Sequence, residues 1–175
     1  MIRFRQFLLS ECVTINAPNG IFIKVTPTNN TIRKLCGYFY QFEEIIPLLD
    51  DFHCTLLYSN TPAYNIDLPY ISSDERFSAI GTGLSHWAGQ EGKGYIVLNL
   101  VSPELAALNK KFSDAGFKGT FPDYHPHVSL IHPVPDFEKI KPIFDSINEA
   151  LQSKNPPLSL SFYYGGYTIA DPEEK

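Results

Sequence analysis

The chain has 175 residues, a formal net charge of −5, 43% hydrophobic and 14% aromatic residues. That composition supplies a buried core, argues against disorder, and fits residues 1–175 as one domain with room for two lobes. The acidic balance argues against wholesale binding of long nucleic acid, which relies on a basic field, and favours a small or locally held anion.

Cys12, Cys36 and Cys54 are widely spaced and contain no CxxC pair, so neither a disulfide scaffold nor a structural zinc site is expected. Met1 to Leu9 holds too little apolar sequence for a signal peptide, and no run reaches the roughly 20 apolar residues of a membrane helix. A soluble protein of a reducing cytoplasm is the expectation.

In chain order, the first 16 residues are a strand or an ordered arm. Asn19-Gly20 signals a turn, and Ile21 to Val25 reads as a strand with Phe22 and Lys24 on one face. From Thr28 to about Ile46 the spacing turns helical, with Ile32, Leu35, Cys36 and Phe39 as its stripe. Thr28 or Asn30 is its cap and Pro47 its stop.

Next comes the run Phe52-His53-Cys54-Thr55-Leu56-Leu57-Tyr58-Ser59, a strand. Ser59 to Pro62 and Asp67 to Pro69 read as surface loop. Phe77 to Trp87 is expected as a strand with Phe77, Ala79, Gly81 and Gly83 on one face. A glycine-rich hairpin loop, Gly89 to Gly94, leads into a strand from Tyr95 to Val101. Ser102-Pro103-Glu104 starts a helix, Leu105, Leu108 and Phe112 form its stripe, and Gly116 ends it.

Phe117 to Tyr124 is a loop before a second strand, His127-Val128-Ser129-Leu130-Ile131. Asp136 to about Leu151 reads as a helix with Phe137, Ile140, Phe144, Ile147 and Leu151 inward, and Pro142 implies a kink or a later start. Leu158 to Phe162 is a strand that Gly165-Gly166 breaks.

The two runs at His53 and His127 organise the chain. Both read His-x-(Thr/Ser)-Leu, and strand alternation puts His53 with Thr55, and His127 with Ser129, on one face. Cys54, Leu56 and Tyr58 fall on the other. The copies stand 74 residues apart, and the same offset carries Ile21–Val25 onto Tyr95–Asn99 and Thr28 onto Ser102. Two strand–helix–strand units are the expectation.

Two imidazoles and two hydroxyls facing one cleft suit in-line attack at phosphorus. One imidazole accepts the proton of the attacking hydroxyl and the other gives one to the leaving oxygen; the hydroxyls hold the non-bridging oxygens. The alternative is that each histidine is a strand residue satisfied by a local hydrogen bond. A metal reading rests on His125 and His127 at i and i+2, with no third ligand fixed by the sequence; His125 and His132 read instead as loop and strand-end residues. Trp87, next to His86, is either core or a platform for a nucleobase. Phe22, Tyr58 and Tyr124 are weaker stacking candidates, Thr120 and Tyr124 candidates for reading a base edge, and Lys24 the best candidate for a second phosphate.

These residues resemble the paired H-x-(T/S)-x motifs of the 2H phosphoesterase superfamily, which includes 2′-5′ RNA ligase-like proteins. Within it, Asn19 to Val25, His53 to Ser59, Ser85-His86-Trp87 and Pro126 to Ile131 are most similar to the phage anti-CBASS nucleases. The resemblance implies an α+β, two-lobed fold of duplicated strand–helix–strand units with antiparallel sheets lining a central cleft. It implies a metal-independent phosphodiesterase, without a cofactor, acting on 3′-5′ bonds of cyclic di- and trinucleotide signals such as 3′,3′-cyclic GMP-AMP. Its setting would be the cytoplasm of an infected bacterial host. His53, Thr55, His127 and Ser129 would be catalytic; Phe22, Lys24, Trp87, Thr120 and Tyr124 would bind substrate. Phe22 stands where the family stacks an aromatic ring on the ligand, but lacks a tyrosine hydroxyl, and Ser129 replaces the commoner threonine. A 2′,3′-cyclic phosphodiesterase or ligase acting on RNA ends is the alternative enzyme, and a non-catalytic nucleotide sponge the alternative of another class.

Overall fold

The computed structural model describes residues 13–89 and 93–170. The readings of Met1 to Leu9, of Cys12 and of the hairpin tip at residues 90–92 lie outside them. Among the described residues the elements run β1 (Thr14–Ala17), β2 (Ile21–Pro27), α1 (Asn29–Glu43), β3 (Cys54–Ser59), β4 (Ala63–Asp67), β5 (Phe77–Trp87), β6 (Gly94–Val101), α2 (Pro103–Asp114), β7 (His127–Val134), α3 (Phe137–Ser153) and β8 (Leu158–Ile169). This is an α+β fold with antiparallel sheets. No helix among them is long and apolar enough to cross a membrane.

Six strands close into a barrel in the order β2-β3-β7-β6-β5-β8, and β1 pairs with β4 in a separate ribbon. The barrel divides into two triplets, β8-β2-β3 and β5-β6-β7. They join at β5–β8 over five residue pairs, but at β3–β7 through one pair only, Cys54 with Val128. Those two residues are themselves 74 apart, the spacing of the two motifs.

Both expected helix starts are built alike. Thr28 caps α1 by accepting from the Thr31 amide, and Ser102 caps α2 by accepting from the Leu105 amide. Each satisfies one of the amide donors a helix N-terminus leaves without a partner. α2 buries the expected Leu105, Leu108 and Phe112, and ends where Gly116 adopts a φ of 109°. In α1 the buried stripe is Thr31, Leu35, Phe39 and Phe42, rotated from the expected one, which leaves Cys36 exposed. α3 starts at Phe137 and runs through Pro142, so the later start is not taken.

Two further expectations are corrected. The segment after Ser59 holds β4, whose residues are mostly exposed; antiparallel pairing with β1, not an apolar pattern, makes it a strand. Gly165-Gly166 does not break β8. The register with β2 passes from Val25–Tyr164 to Lys24–Gly166, so Gly165 is an unpaired extra residue. A Cβ on Gly165 would collide with Thr26 Oγ1, and Gly166 has a φ of 91°. The glycines build a bulge that lets the strand continue.

Candidate active site

Three more bulges decide what faces the site. In β3 the pairing with β2 passes from Lys24–Thr55 to Ile23–Leu57, skipping Leu56. In β7 the pairing with β6 passes from Val97–Ser129 to Ile96–Ile131, skipping Leu130. Leu56 and Leu130 are again 74 residues apart. An extra residue resets the alternation of faces, so Leu56 and Leu57 are both buried, as are Leu130 and Ile131. Tyr58, expected on the buried face with Cys54 and Leu56, is therefore turned out, at 46% exposure.

Each bulge leaves a carbonyl needing a donor. Asn109 Nδ2 on α2 donates to the Leu56 carbonyl at 2.7 Å, and the Leu49 amide donates to that of Leu130 at 2.8 Å. In β5 the third bulge skips Thr82. Gly83 and Leu84 are both buried beyond it, and Trp87, in odd-numbered step with buried Phe77, emerges on the opposite side at 39% exposure. Trp87 is thus a cavity residue, not core.

The cavity so formed has a volume of about 670 Å³ and takes in Phe22, Thr55, Trp87, Tyr124, His127 and Ser129 among its walls. His53 is not among the lining residues, but its ring stands edge-on to that of the wall residue Phe22, with centroids 5.5 Å apart. Trp87 stands edge-on to His127 at 4.4 Å. Around the Cys54–Val128 rung, antiparallel register puts His53 across from Ser129 and Thr55 across from His127. Directly opposed residues lie about 5 Å apart at Cβ and diagonal ones about 7–8 Å. The two imidazoles thus occupy one diagonal of a quartet and the two hydroxyls the other.

The imidazoles are oriented identically. His53 Nδ1 lies 3.0 Å from the Asp51 carbonyl and His127 Nδ1 lies 2.8 Å from the His125 carbonyl, each two residues back. A carbonyl only accepts, so Nδ1 carries the proton in both rings, and Nε2 is the atom left to exchange one. Burial lowers the pKa of His53 below the ordinary imidazole value, and the Lys24 cation adds to this; the Asp51 carbonyl and carboxylate oppose it. His127 is likewise lowered by burial, with the His125 carbonyl opposing and the charges of His53 and His125 adding. Among the described residues neither the Thr55 nor the Ser129 hydroxyl has a protein partner. Both are free to donate into the cavity.

The other expected binding residues separate. Lys24 lies beside Thr55 in register, but its ammonium pairs with Asp51 at 3.1 Å. Thr120 is not among the cavity walls; its hydroxyl is engaged with Asn60 at 3.2 Å. Tyr124 is a wall, but its hydroxyl turns to Cys54 Sγ at 3.7 Å. Burial pushes the Cys54 thiol up to about 11 and raises the Tyr124 phenol as well. His132 stacks on Tyr95 at 3.8 Å and His86 on Phe137 at 4.0 Å, so neither belongs to the quartet. His125 borders the cavity in the loop before β7. Among the described residues no third histidine, cysteine or carboxylate joins His125 and His127.

Sequence reasoning missed Tyr95, Asn109 and Phe121, all cavity walls. Tyr95 takes its place from the register. Phe22 and Tyr95 correspond in register at an offset of 73, since Thr55 pairs with Lys24 and Ser129 with Val97; the offset of 74 had aligned Phe22 with Ile96.

A family model described as anti-CBASS protein Acb1 matches residues 19–151. The anti-CBASS protein Acb1 of Vibrio phage KVP40 is 35% identical over 81 residues, covering 46% of this chain and 50% of that relative. The match spans about half the length of that curated relative. The family model, in contrast, takes in both motif strands and well over half of the chain, and on that ground the protein belongs to the anti-CBASS protein Acb1 family.

Proposed function

We propose that this protein is a phosphodiesterase of the 2H type that hydrolyses 3′-5′ bonds in cyclic di- and trinucleotide immune signals, as a phage counter-defence. Family membership supports the biological target. The two three-stranded halves, joined at β3–β7 by one rung and at β5–β8 by five pairs, support the two-lobed 2H reading, as a single domain. The observation that carries the chemistry is the quartet, with each Nδ1 committed to the carbonyl two residues back and each Nε2 therefore available.

In the proposed reaction a ribose 2′-hydroxyl attacks the neighbouring phosphorus and loses its proton to one imidazole. The bond to the 5′-oxygen breaks as the other, protonated imidazole supplies that oxygen with a proton. Water then opens the resulting 2′,3′-cyclic phosphate with the histidine roles exchanged, as microscopic reversibility requires. Thr55 and Ser129 donate to the non-bridging oxygens, whose charge grows at the pentacoordinate phosphorus. The charges of the two histidines disfavour each other, so protonation of both rings at once is disfavoured. Trp87 holds a flanking base, Phe22 stacks on the ligand, and Lys24, already balanced by Asp51, answers a phosphate only by sharing that pair.

The test is to incubate the protein in EDTA with 3′,3′- and 2′,3′-linked cyclic di- and trinucleotides and with RNA ending in a 2′,3′-cyclic phosphate, then resolve the products. Cleavage of the cyclic panel, lost in both His53→Ala and His127→Ala, is the expected result. Reaction of RNA ends alone would replace this reading with an RNA-end enzyme, and binding without turnover would replace it with a sponge. Equal cleavage of 2′-deoxy linkages would refute attack by the 2′-hydroxyl.

A further inference from the structure

We infer that the cavity carries a second nucleobase subsite, on a wall made by Tyr58 and Phe121, beyond the residues that flank the scissile phosphate. The nature of the ligand rests on the phosphodiesterase reading; the wall itself does not. Phe121 is 70% exposed and Tyr58 46%, and both face the cavity that contains Thr55, His127 and Ser129. Their ring centroids lie 6.5 Å apart at 32°. Open aromatic faces inside a cavity, continuous with groups that handle phosphate, suit a flat apolar ligand face.

The wall is held in place by the chain around it. The Thr120 amide donates to the Tyr58 carbonyl at 2.8 Å, and Thr120 Oγ1 both accepts from the Asn60 amide and donates to Asn60 Oδ1, each at 3.2 Å. Phe117, at the root of the same loop, is buried edge-on to Phe112. Thr120 thus fixes the platform on which Phe121 stands rather than reading a base itself. Lys118 and Asp123 border the same region with opposite charges, so they offset each other and stacking must supply the affinity.

Position gives the occupant. Tyr58 lies three residues beyond Thr55 on β3, about 10 Å along a strand, whereas Trp87 on β5 abuts His127. With the phosphate at the quartet, one base reaches Trp87 beside His127, and a second base reaches Tyr58 and Phe121, with Phe22 next to Tyr58 as its partner across β2 and β3. The subsite therefore selects a dinucleotide step over a mononucleotide.

Titration calorimetry with three unreactive probes tests this: a phosphorothioate 3′,3′-cyclic diadenosine, a linear phosphorothioate diadenosine and AMP. The quantity read is the ratio of dinucleotide to mononucleotide affinity. It should fall about tenfold in Phe121→Ala and in Tyr58→Ala, the size of one base–aromatic stacking contact, and be retained in Phe121→Trp. A ratio that stays at the wild-type value in both alanine variants overturns the subsite, even if cyclic dinucleotides are cleaved. If the wild type favours the linear diadenosine over AMP through these rings but does not bind the cyclic probe, the subsite stands and the cyclic-signal reading falls.

Discussion

The two halves of the site share a plan and differ in their surroundings. In the β2–α1–β3 half, His53 sits beside an ion pair: Asp51 Oδ2 is 3.7 Å from its Nδ1, and Lys24 pairs with that same carboxylate. In the β6–α2–β7 half, the charged neighbours acting on His127 are two other histidines, and its ring abuts Trp87. The backbone device is identical, a bulge at the residue after the hydroxyl and an Nδ1 bond to the carbonyl two residues back. What differs is the local charge. The backbone therefore fixes where each imidazole points, and the side chains around it set which ring gives up its proton more readily.

The largest expected effect breaks the comparison outright. His53→Ala and His127→Ala should each lower kcat by about 10²–10⁴-fold, and to a similar degree if both halves are needed for one step. A loss of only a few-fold in one of them, measured on a cyclic dinucleotide, would make that half a spectator. Removing a hydroxyl comes next. Thr55→Val and Ser129→Ala should each cost about 10²–10³-fold in kcat, as for a donor to a developing oxyanion, whereas Ser129→Thr, which makes the halves alike, should stay close to wild type.

A third test separates the two imidazoles by pH. A general base works above its pKa and a general acid below its own; both histidines are lowered. The kcat/KM profile should thus be a bell with its maximum below about pH 6.5, the ordinary imidazole value. Asp51→Asn removes a carboxylate that raises the pKa of His53, so it should shift one limb further to acid. Movement of the acidic limb would make His53 the base, and movement of the alkaline limb would make it the acid. A profile flat from pH 5 to 9 would exclude two titrating imidazoles.

The smallest effect is at the rung itself, where Cys54 faces Val128. Cys54→Val gives β3 the residue of its counterpart and deletes the contact to Tyr124, and should change stability in denaturant by less than about 1.5 kcal/mol. In the native chain the buried Cys54 thiol, held up to about 11, should react with a thiol reagent at pH 8 far more slowly than exposed Cys36.

Local signals in the chain were reliable where local physics decides the outcome. Thr28 and Ser102 announced their helices because an N-cap is a contact between residues three apart. The pairing of His53 with Thr55 and of His127 with Ser129 was legible because it depends on alternation over a single step. Alternation carried further failed at Tyr58 and could not decide Trp87, since an extra residue lies between each and the start of its strand. β4 was illegible because its strand character comes from β1, about 50 residues earlier.

The sequence by itself determined the two motifs, their 74-residue spacing, the capped helices and the class of chemistry that two imidazoles and two hydroxyls permit. Only the tertiary structure decided that these four side chains form one quartet, since the Cys54–Val128 rung joins strands 74 residues apart. It also placed Trp87, Tyr95, Tyr58 and Phe121 around the quartet. The physical reason lies in the bulges: those of the two motif strands take donors from elsewhere in the chain, Asn109 for Leu56 and Leu49 for Leu130, and no periodicity within a strand encodes a partner that distant.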